Sequence, residues 1–203
     1  MMSFRSDFVV IMTRTAMSGG ICVGAYDVVN EKMIRLLDNR AGRLTADAPY
    51  QIGEVYSMVY AERYNLIPPH AEDVAVYEAE YRGECPDDYF DGLVNDVTVF
   101  SVRLSELFDG KLHWESSGFI LEDDLPGYSV QIATLQHPLM RDDDYFRSLG
   151  LGGRKRIKYV GEKPIRYLPM IIQPGVKIRF SLARFWDKGD GVKRAYLQIS
   201  GIY

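Results

Sequence analysis

The chain contains 203 residues with a mass of 23.2 kDa, which allows one large β domain or two domains of about 100 residues each. Hydrophobic residues make up 47% and charged residues 26%, as in folded globular proteins, and this composition excludes a disordered tail. The net charge of −4 argues against a protein that binds nucleic acid over its whole surface. The apolar run Phe8–Met12 is too short for a signal-peptide core or a membrane span. We therefore expect a soluble, cytoplasmic protein with no membrane partner.

Strand signals dominate the first third of the chain. Apolar and β-branched residues fill Phe8–Thr15 and Ile21–Tyr26, and the turn Ser18-Gly19-Gly20 between them predicts a hairpin or meander pair. Similar runs predict a third strand at Lys32–Leu37 and a fourth at Glu54–Arg63.

The middle of the chain is less regular. Pro68-Pro69 predicts a rigid break, because adjacent prolines fix the backbone and donate no hydrogen bonds. Val74–Tyr81 fits either a strand or a short helix, and Gly83–Asp91 resembles a turn. Val97–Phe108 begins as a strand, and its later apolar spacing predicts a short helix at its end. A further strand is predicted at Ser129–Leu135.

The last part of the chain has the clearest pattern. It follows a segment rich in Asp and Gly, Met140–Gly153, which we expect to be a mobile surface insert. Short strands separated by turns every 8–12 residues are typical of a sandwich or a small barrel. Four strand-like runs, divided by Gly and Pro turns, lie at Arg156–Val160, Ile165–Ile172, Lys177–Phe185 and Arg194–Ile202.

No known catalytic pattern is present in the sequence. The glycine spacings of a P-loop or a Rossmann turn and the Gly-x-Ser-x-Gly nucleophile elbow are all missing. His70, His113 and His137 lie far apart and are expected to be surface or packed residues. We therefore predict a protein that is not an enzyme and has no cofactor, and the weaker alternative is an enzyme whose site has no recognisable sequence pattern.

The cysteines and the acidic runs do not indicate a metal site either. Cys22 and Cys85 lack the paired spacing of zinc ligands and are too few for a secreted disulfide framework, so we expect reduced thiols. Asp142-Asp143-Asp144 has carboxylates that suit magnesium or calcium, but it lacks the Gly and terminal Glu of a calcium-binding loop. We interpret it as a solvated loop and predict no metal.

Positive charge is concentrated at the end of the chain. Residues 154–203 contain 12 Lys and Arg against 3 Asp and Glu, whereas residues 1–153 contain 12 against 25. Cations can neutralise phosphates while aromatic rings stack on bases, and OB-type barrels use this combination on single strands. The pattern predicts a nucleic-acid-binding site on the C-terminal strands. Its residues are Arg154, Lys155, Arg156, Lys158, Tyr159, Arg166, Arg179, Arg184 and Trp186.

Two other interpretations of the same residues remain open. In a strand with period two, Lys177, Arg179 and Ser181 face one way. The aromatic residues between them can then belong to the core, and the cations can form an ordinary solvent-exposed face. Alternatively, the basic end docks on an acidic partner protein or on the acidic region of a second copy. The nucleic-acid interpretation has single-stranded DNA or RNA as its expected ligand.

Three segments resemble the dual OB-containing domain proteins, a bacterial family with two tandem OB folds. Gly20–Gly24 followed by Lys32–Leu37 is similar to the family's opening pair of strands, and Pro68–Asp73 is similar to its His-Pro-Glu-Asp/Asn segment, with Ala71 where proline is usual. The closing strands, Arg179–Trp186 and Tyr196–Tyr203, give the most specific match. The family usually ends Ser-Gly-Trp-Tyr, and Ile202 replaces that tryptophan here.

This resemblance implies an all-β fold of two tandem small OB-like barrels, with short helices in the connections. We expect an N-terminal barrel over residues 1–108 and a C-terminal barrel over residues 109–203, and exchange of strands between the two barrels stays open. The resemblance also points to nucleic-acid or nucleotide binding, and it supplies no catalytic residues.

Overall fold

The structure is a computed structural model that describes residues 3–17, 19–149 and 155–203. The chain divides into two compact units. The first contains Met1–Leu66 and Glu72–Leu93, and the second contains Ile67–Ala71 and Val94–Tyr203. Within the described residues, none of the helices has the length and hydrophobicity needed to cross a membrane.

Five strands close into a barrel in the first unit. In chain order they are β1 (Phe4–Met17), β2 (Gly20–Asp27), β3 (Lys32–Leu37), β4 (Glu54–Glu62) and β5 (Asp73–Glu84). The strand order around the barrel is β1-β2-β3-β5-β4, with β4 returning to β1. Only the β3–β5 pair is parallel, and the other four pairs are antiparallel. This is the five-stranded Greek-key topology of an OB fold.

The first core forms because apolar residues recur at every second position of these strands. Val9 and Ile11 on β1 pack with Val23 on β2 and with Met58 and Tyr60 on β4, and all five side chains are fully or almost fully buried. The 14-residue strand β1 serves both neighbours, since its first half pairs with β4 and its second half pairs with β2. A single long strand therefore closes the barrel.

The second unit also consists mainly of strands. Its first elements are β6 (Thr98–Val102), a 3₁₀ helix (Leu104–Gly110), β7 (His113–Trp114), β8 (Gly118–Leu121), β9 (Val130–Leu135), β10 (Leu139–Asp142), β11 (Tyr145–Ser148) and β12 (Arg156–Tyr159). They are followed by a 3₁₀ helix (Ile165–Tyr167), β13 (Ile171–Ile172), β14 (Lys177–Leu182), β15 (Trp186–Asp187) and β16 (Lys193–Ile202).

The pairing order of the first barrel recurs in the second unit. The strands run β10-β11-β12-β16-β14-β9, and the β12–β16 pair is parallel, as the β3–β5 pair is in the first barrel. The chain itself joins β9 to β10 through residues 136–138, so β9 and β10 together correspond to the long strand β1. Pro138 lies at this break and has no N–H for the ladder. Phe146, Ile157, Phe180 and Leu197 fill the core. The expected fold class, two OB-like barrels in one all-β chain, is confirmed.

Several predicted elements differ from the structure. Gly83–Asp91 was expected to be a turn, but β5 continues to Glu84 and a helix, α1 (Asp87–Asp96), follows it. Pro86 immediately before α1 is favourable at a helix start, because its φ is fixed and the N–H that it lacks would have no helical partner there. Asp87 and Asp88 in the first turn are favourable because the helix dipole is positive at its N-terminus. Ile165–Ile172 forms the second 3₁₀ helix and the short strand β13 instead of one long strand.

The prediction that Met140–Gly153 is a surface insert is wrong for the part of this segment that the structure describes. It contains most of β10 and the whole of β11, which pair with each other in an antiparallel hairpin. Phe146 is fully buried between the more exposed Tyr145 and Arg147, so this segment alternates as a half-buried strand does. Residues 150–153 lie outside the described residues.

Candidate nucleic-acid interface

Two of the predicted site residues lie on β12 and point to the same side of the second barrel. Arg156 and Lys158 are exposed, and Ile157 between them is fully buried in the core. On the neighbouring strand β11, Tyr145 lies opposite Lys158 and Arg147 lies opposite Arg156. Because directly opposed residues of an antiparallel pair share a face, these four side chains form one surface. We call Tyr145, Arg147, Arg156 and Lys158 the β11–β12 patch.

The charges of the β11–β12 patch are not neutralised within the part of the chain that the structure describes. No described carboxylate forms an ion pair with Arg147, Arg156 or Lys158. The guanidinium carbon of Arg156 lies 4.8 Å from the ring centroid of Tyr145. The Nε atom of Arg147 is buried without a described hydrogen-bond partner. The patch therefore offers three cations and one aromatic ring to an anionic ligand.

Strand β16 and its neighbours β8 and β15 carry further rings on this side, of which Phe119 is buried, Tyr196 half-buried and Trp186 exposed. Lys158 lies beside Gln198, and Tyr196 is two positions earlier on the same side of β16. The Tyr196 ring centroid is 5.9 Å from that of Phe119 on β8 and 6.3 Å from that of Trp186 on β15. Trp186 is 58% exposed. We call Phe119, Tyr196 and Trp186 the aromatic row.

Carboxylates balance the cations around the aromatic row. Arg194 Nη1 lies 2.9 Å from Asp190 Oδ1, and Arg194 Nη2 lies 3.7 Å from Glu115 Oε1. Lys188 lies near the same two carboxylates, with Nζ 3.2 Å from Glu115 and 3.5 Å from Asp190. The hydrogen bonds from Arg194 lower the pKa of Asp190 to about 2. The unpaired charge of this face is thus on the β11–β12 patch, and the rings extend beside it.

The structure separates other predicted residues from this face. Lys155 places its Nζ 4.9 Å from the ring centroid of Trp114, which packs against the core of the second unit. Tyr159 is half-buried, and its ring meets that of Phe146 edge-on at 6.1 Å. Burial raises the pKa of the Tyr159 hydroxyl. Tyr159 is therefore packed against the core rather than presented as a stacking surface.

Three more predicted arginines have separate surroundings. Arg166 lies in the second 3₁₀ helix, with its guanidinium carbon 4.9 Å from the ring centroid of Tyr167. Arg184 is exposed in the segment after β14. Arg179 was expected on an open surface, and this is wrong, because it is only 5% exposed and its Nη1 donates to Ser200 Oγ at 2.7 Å. Arg154 lies outside the described residues.

Sequence reasoning missed Tyr145, Arg147 and Tyr196. The first two were assigned to the surface insert, although Tyr145–Ser148 alternates in the way that a half-buried strand does. Their position opposite β12 depends on strand pairing, which the local sequence does not report. Tyr196 was included in the closing strand but was not identified as part of a site.

Metal-ligating and nucleophilic side chains also lie outside this face among the described residues. No group of three or more His, Cys, Asp or Glu side chains within residues 3–17, 19–149 and 155–203 is arranged to hold a metal ion. Cys22 and Cys85 are both free. His70 is buried and lies 3.2 Å from Ser129 Oγ through its Nδ1 atom.

Comparison with solved structures gives distant matches along almost the whole chain. The Ifi202 HINa domain in complex with a 20-base-pair double-stranded DNA has 12% identity and a TM-score of 0.34, covering 98% of this chain and 94% of that chain. A murine DNA-binding protein bound with double-stranded DNA has 11% identity and a TM-score of 0.35, covering 99% and 91%. The p204 HINb domain has 10% identity and a TM-score of 0.32, covering 96% of each chain. These values are too low to bear on the ligand of this chain.

The sequence comparisons give no family assignment. No family model matches the chain. No curated protein matches it.

Proposed function

We propose that this protein is a noncatalytic module that binds single-stranded DNA or RNA on the outer face of β11, β12 and β16. The observation that carries the proposal is the β11–β12 patch, where Arg147, Arg156 and Lys158 lie together without described carboxylate partners beside the ring of Tyr145. In OB folds, the face of the second and third strands is a common site for oligonucleotides. By the pairing order, β11 and β12 are the second and third strands of this barrel.

The chemistry of the patch fits a phosphate backbone with unstacked bases. Arginine presents several N–H donors in a planar fork, which suits phosphate oxygens. A single strand also exposes base faces, and each base stacked on an aromatic side chain contributes about 1–3 kcal/mol. Trp186 is 58% exposed, and Tyr145 is half-buried with the Arg156 guanidinium carbon 4.8 Å from its ring centroid. These are the two rings of this face that would stack on bases. In a duplex each base face is covered by the neighbouring base pair and cannot stack on a protein ring. We therefore favour a single strand, whose bases can unstack.

A salt series tests the proposal. Fluorescence anisotropy with labelled single-stranded DNA and RNA should show binding that weakens linearly in log affinity against log salt. The double variant R156Q/K158Q removes two phosphate contacts, so the slope should become shallower by about 1.4 for a single strand. The matched control is R82Q/R103Q, which removes two exposed arginines that pair with Glu80 and Glu106 and do not belong to β11, β12 or β16. The control should keep the wild-type slope.

Two results would contradict the proposal. One is the absence of binding to any DNA or RNA at low salt. The other is an equal loss in R156Q/K158Q and in R82Q/R103Q, because this would indicate only a response to net charge. Tighter binding to duplex than to single strands would overturn the preference for single strands but not the patch itself.

A second candidate is self-association through the same patch. Glu78, Glu80 and Glu84 of β5 are exposed and supply an acidic surface on the chain itself. Size-exclusion chromatography with light scattering should then show a dimer that dissociates at high salt and in R156Q/K158Q. A monomer at every concentration and salt would exclude it. We also propose that the chain is a member of the dual OB-containing domain family and that it is cytoplasmic. Only the sequence patterns support these two proposals.

A further inference from the structure

The first barrel has a groove that has no part in the nucleic-acid site proposed above. It has a volume of about 340 Å³, which falls within the range of small-molecule sites. Three segments meet there: the residues after β3, the end of β4 with the residues that follow it, and the first half of β5. The lining residues are Asn39, Arg40, Ala41, Glu62, Arg63, Tyr64, Asn65, Ala75 and Tyr77.

A fixed turn holds Arg40 at this groove. Asp38 Oδ1 accepts hydrogen bonds from the backbone N–H groups of Arg40 at 2.8 Å and Gly42 at 2.7 Å. The backbone N–H of Ala41 donates to the Asp38 carbonyl oxygen at 2.9 Å. The Asp38 carboxylate is thus engaged by its own turn. The exposed Arg40 side chain forms no ion pair with any described carboxylate.

Arg63 is a second cation, and most of its donors are not used by the described residues. Its Nη1 lies 3.4 Å from Asp73 Oδ2, a long contact, whereas Arg35 Nη2 donates to the same oxygen at 2.7 Å. Arg35 Nε also donates to the other oxygen of Asp73. The carboxylate is therefore satisfied mainly by Arg35, and a guanidinium has five N–H donors. Among the described residues that line the groove, Glu62 alone is acidic, and it pairs with Lys32 at 3.3 Å.

Two rings complete the groove. Tyr64 is 85% exposed and Tyr77 is 46% exposed. We propose that this groove binds one nucleotide unit, with its phosphate on Arg40 and Arg63 and its base against the ring of Tyr64. A phosphate oxygen would accept from the N–H groups of Arg63 that do not bond Asp73. A planar base would cover the Tyr64 ring, which otherwise faces water. This site shares no residue with the β11–β12 patch, and its proposal does not depend on the patch.

The experiment uses the full chain with R156Q/K158Q, so that the patch on β12 does not contribute. Titration with AMP, adenosine and inorganic phosphate is followed by ¹H–¹⁵N NMR. AMP should shift the amide signals of residues 39–41, 62–65 and 75–77. Adenosine and phosphate should each bind at least about tenfold more weakly than AMP, because each lacks one of the two contacts. Adding R40Q/R63Q should weaken AMP binding by about tenfold or more, since both phosphate contacts are removed.

The same spectra show whether each variant is folded, and R40Q alone tests the exposed residue if R63Q perturbs the barrel. The control variant R5Q removes an arginine that pairs with Asp7 at the start of β1, outside the groove lining, and it should bind AMP as the parent does. Shifts confined to other residues, equal affinity for adenosine and AMP, or AMP binding that survives R40Q/R63Q would overturn the assignment. A short adenine oligonucleotide in the same background distinguishes the two sources of the nucleotide unit. Tighter binding than AMP at the same amides indicates a strand, and equal binding indicates a free nucleotide.

Discussion

Arg147 and Arg156 lie directly opposite each other on the antiparallel strands β11 and β12. Like charges in such positions destabilise a sheet, and no described carboxylate pairs with either of them. The Nε atom of Arg147 is in addition buried without a described partner. The free protein thus bears a repulsion that a bound anion would relieve, which links the stability of this sheet to its proposed ligand.

Removal of one of the two charges should stabilise the free protein. For Arg147→Gln we expect the free energy of unfolding to rise by about 0.2–1 kcal/mol at low salt, the size of a cross-strand pair effect. Urea denaturation measures it, and the gain should shrink at high salt because salt screens the repulsion. Arg103→Gln is the control, since Arg103 pairs with Glu106 and its loss should not stabilise. A decrease in stability for Arg147→Gln would contradict the repulsion.

The ring of Tyr145 should contribute to binding of single strands. Tyr145→Ala removes a stacking surface and should weaken the affinity for single-stranded DNA by about 1–3 kcal/mol. Tyr145→Phe keeps the ring and is the matched control, which should bind as the wild type does. The measurement is fluorescence anisotropy at one fixed salt concentration. Equal affinities of the Ala variant and the wild type would show that Tyr145 stacks on no base.

Much of the fold is visible in the sequence, because barrel strands carry an apolar residue at every second position. Lys32–Leu37 was predicted with the bounds of β3, and the closing strands were predicted within a few residues. The helix α1 was missed, since its sequence, with Asp87, Asp88 and Gly92, has few good helix formers. Its start is indicated only by Pro86 and the acidic first turn.

The candidate site was predicted less completely than the fold. Arg156 and Lys158 are exposed on β12, but the alternation rule placed Arg179 on a solvent-exposed face, and Arg179 is buried. The ladder between β14 and β16 shifts register next to Arg179, and Ser200 lies within hydrogen-bonding distance. Local alternation does not report such a shift, nor which strand lies beside which. Arg147 was missed for the second reason.

The buried carboxylate of Asp73 should be essential for the first barrel. Asp73 is fully buried, Arg35 is largely buried, and the two form a pair with two hydrogen bonds. Asp73→Asn leaves the Arg35 charge without its partner, and breaking a buried pair in this way costs about 3–5 kcal/mol. Urea denaturation should show this loss. Glu62→Gln, which breaks the exposed pair with Lys32, is the control and should cost at most about 1 kcal/mol. Similar losses in the two variants would contradict the prediction.

A second buried carboxylate, Asp27 at the end of β2, should make the stability of the first barrel sensitive to acid. Its Oδ1 accepts from Ser6 Oγ at 2.6 Å, and its Oδ2 accepts from Asn30 Nδ2 at 2.7 Å and from the Tyr60 hydroxyl. Burial acts to raise the pKa of Asp27, but these hydrogen bonds, from Ser6 first, outweigh burial and hold the pKa below its ordinary value of 3.8.

Because the pKa of Asp27 is lower in the folded state than in the unfolded state, the ionised carboxylate stabilises the fold at every pH above 3.8. That contribution should be lost as the pH falls from 3.8 through the lower folded pKa. Asp27→Asn should cost about 1–3 kcal/mol at pH 7, because an amide NH₂ replaces one of the two acceptor oxygens and leaves the donors of that oxygen without an acceptor. Its unfolding free energy should also fall less between pH 7 and pH 3 than that of the wild type. Urea denaturation at both pH values measures the difference, and Asp123→Asn, on an exposed turn, should follow the wild type. Equal acid sensitivity of Asp27→Asn and the wild type would show that the Asp27 network does not set this dependence.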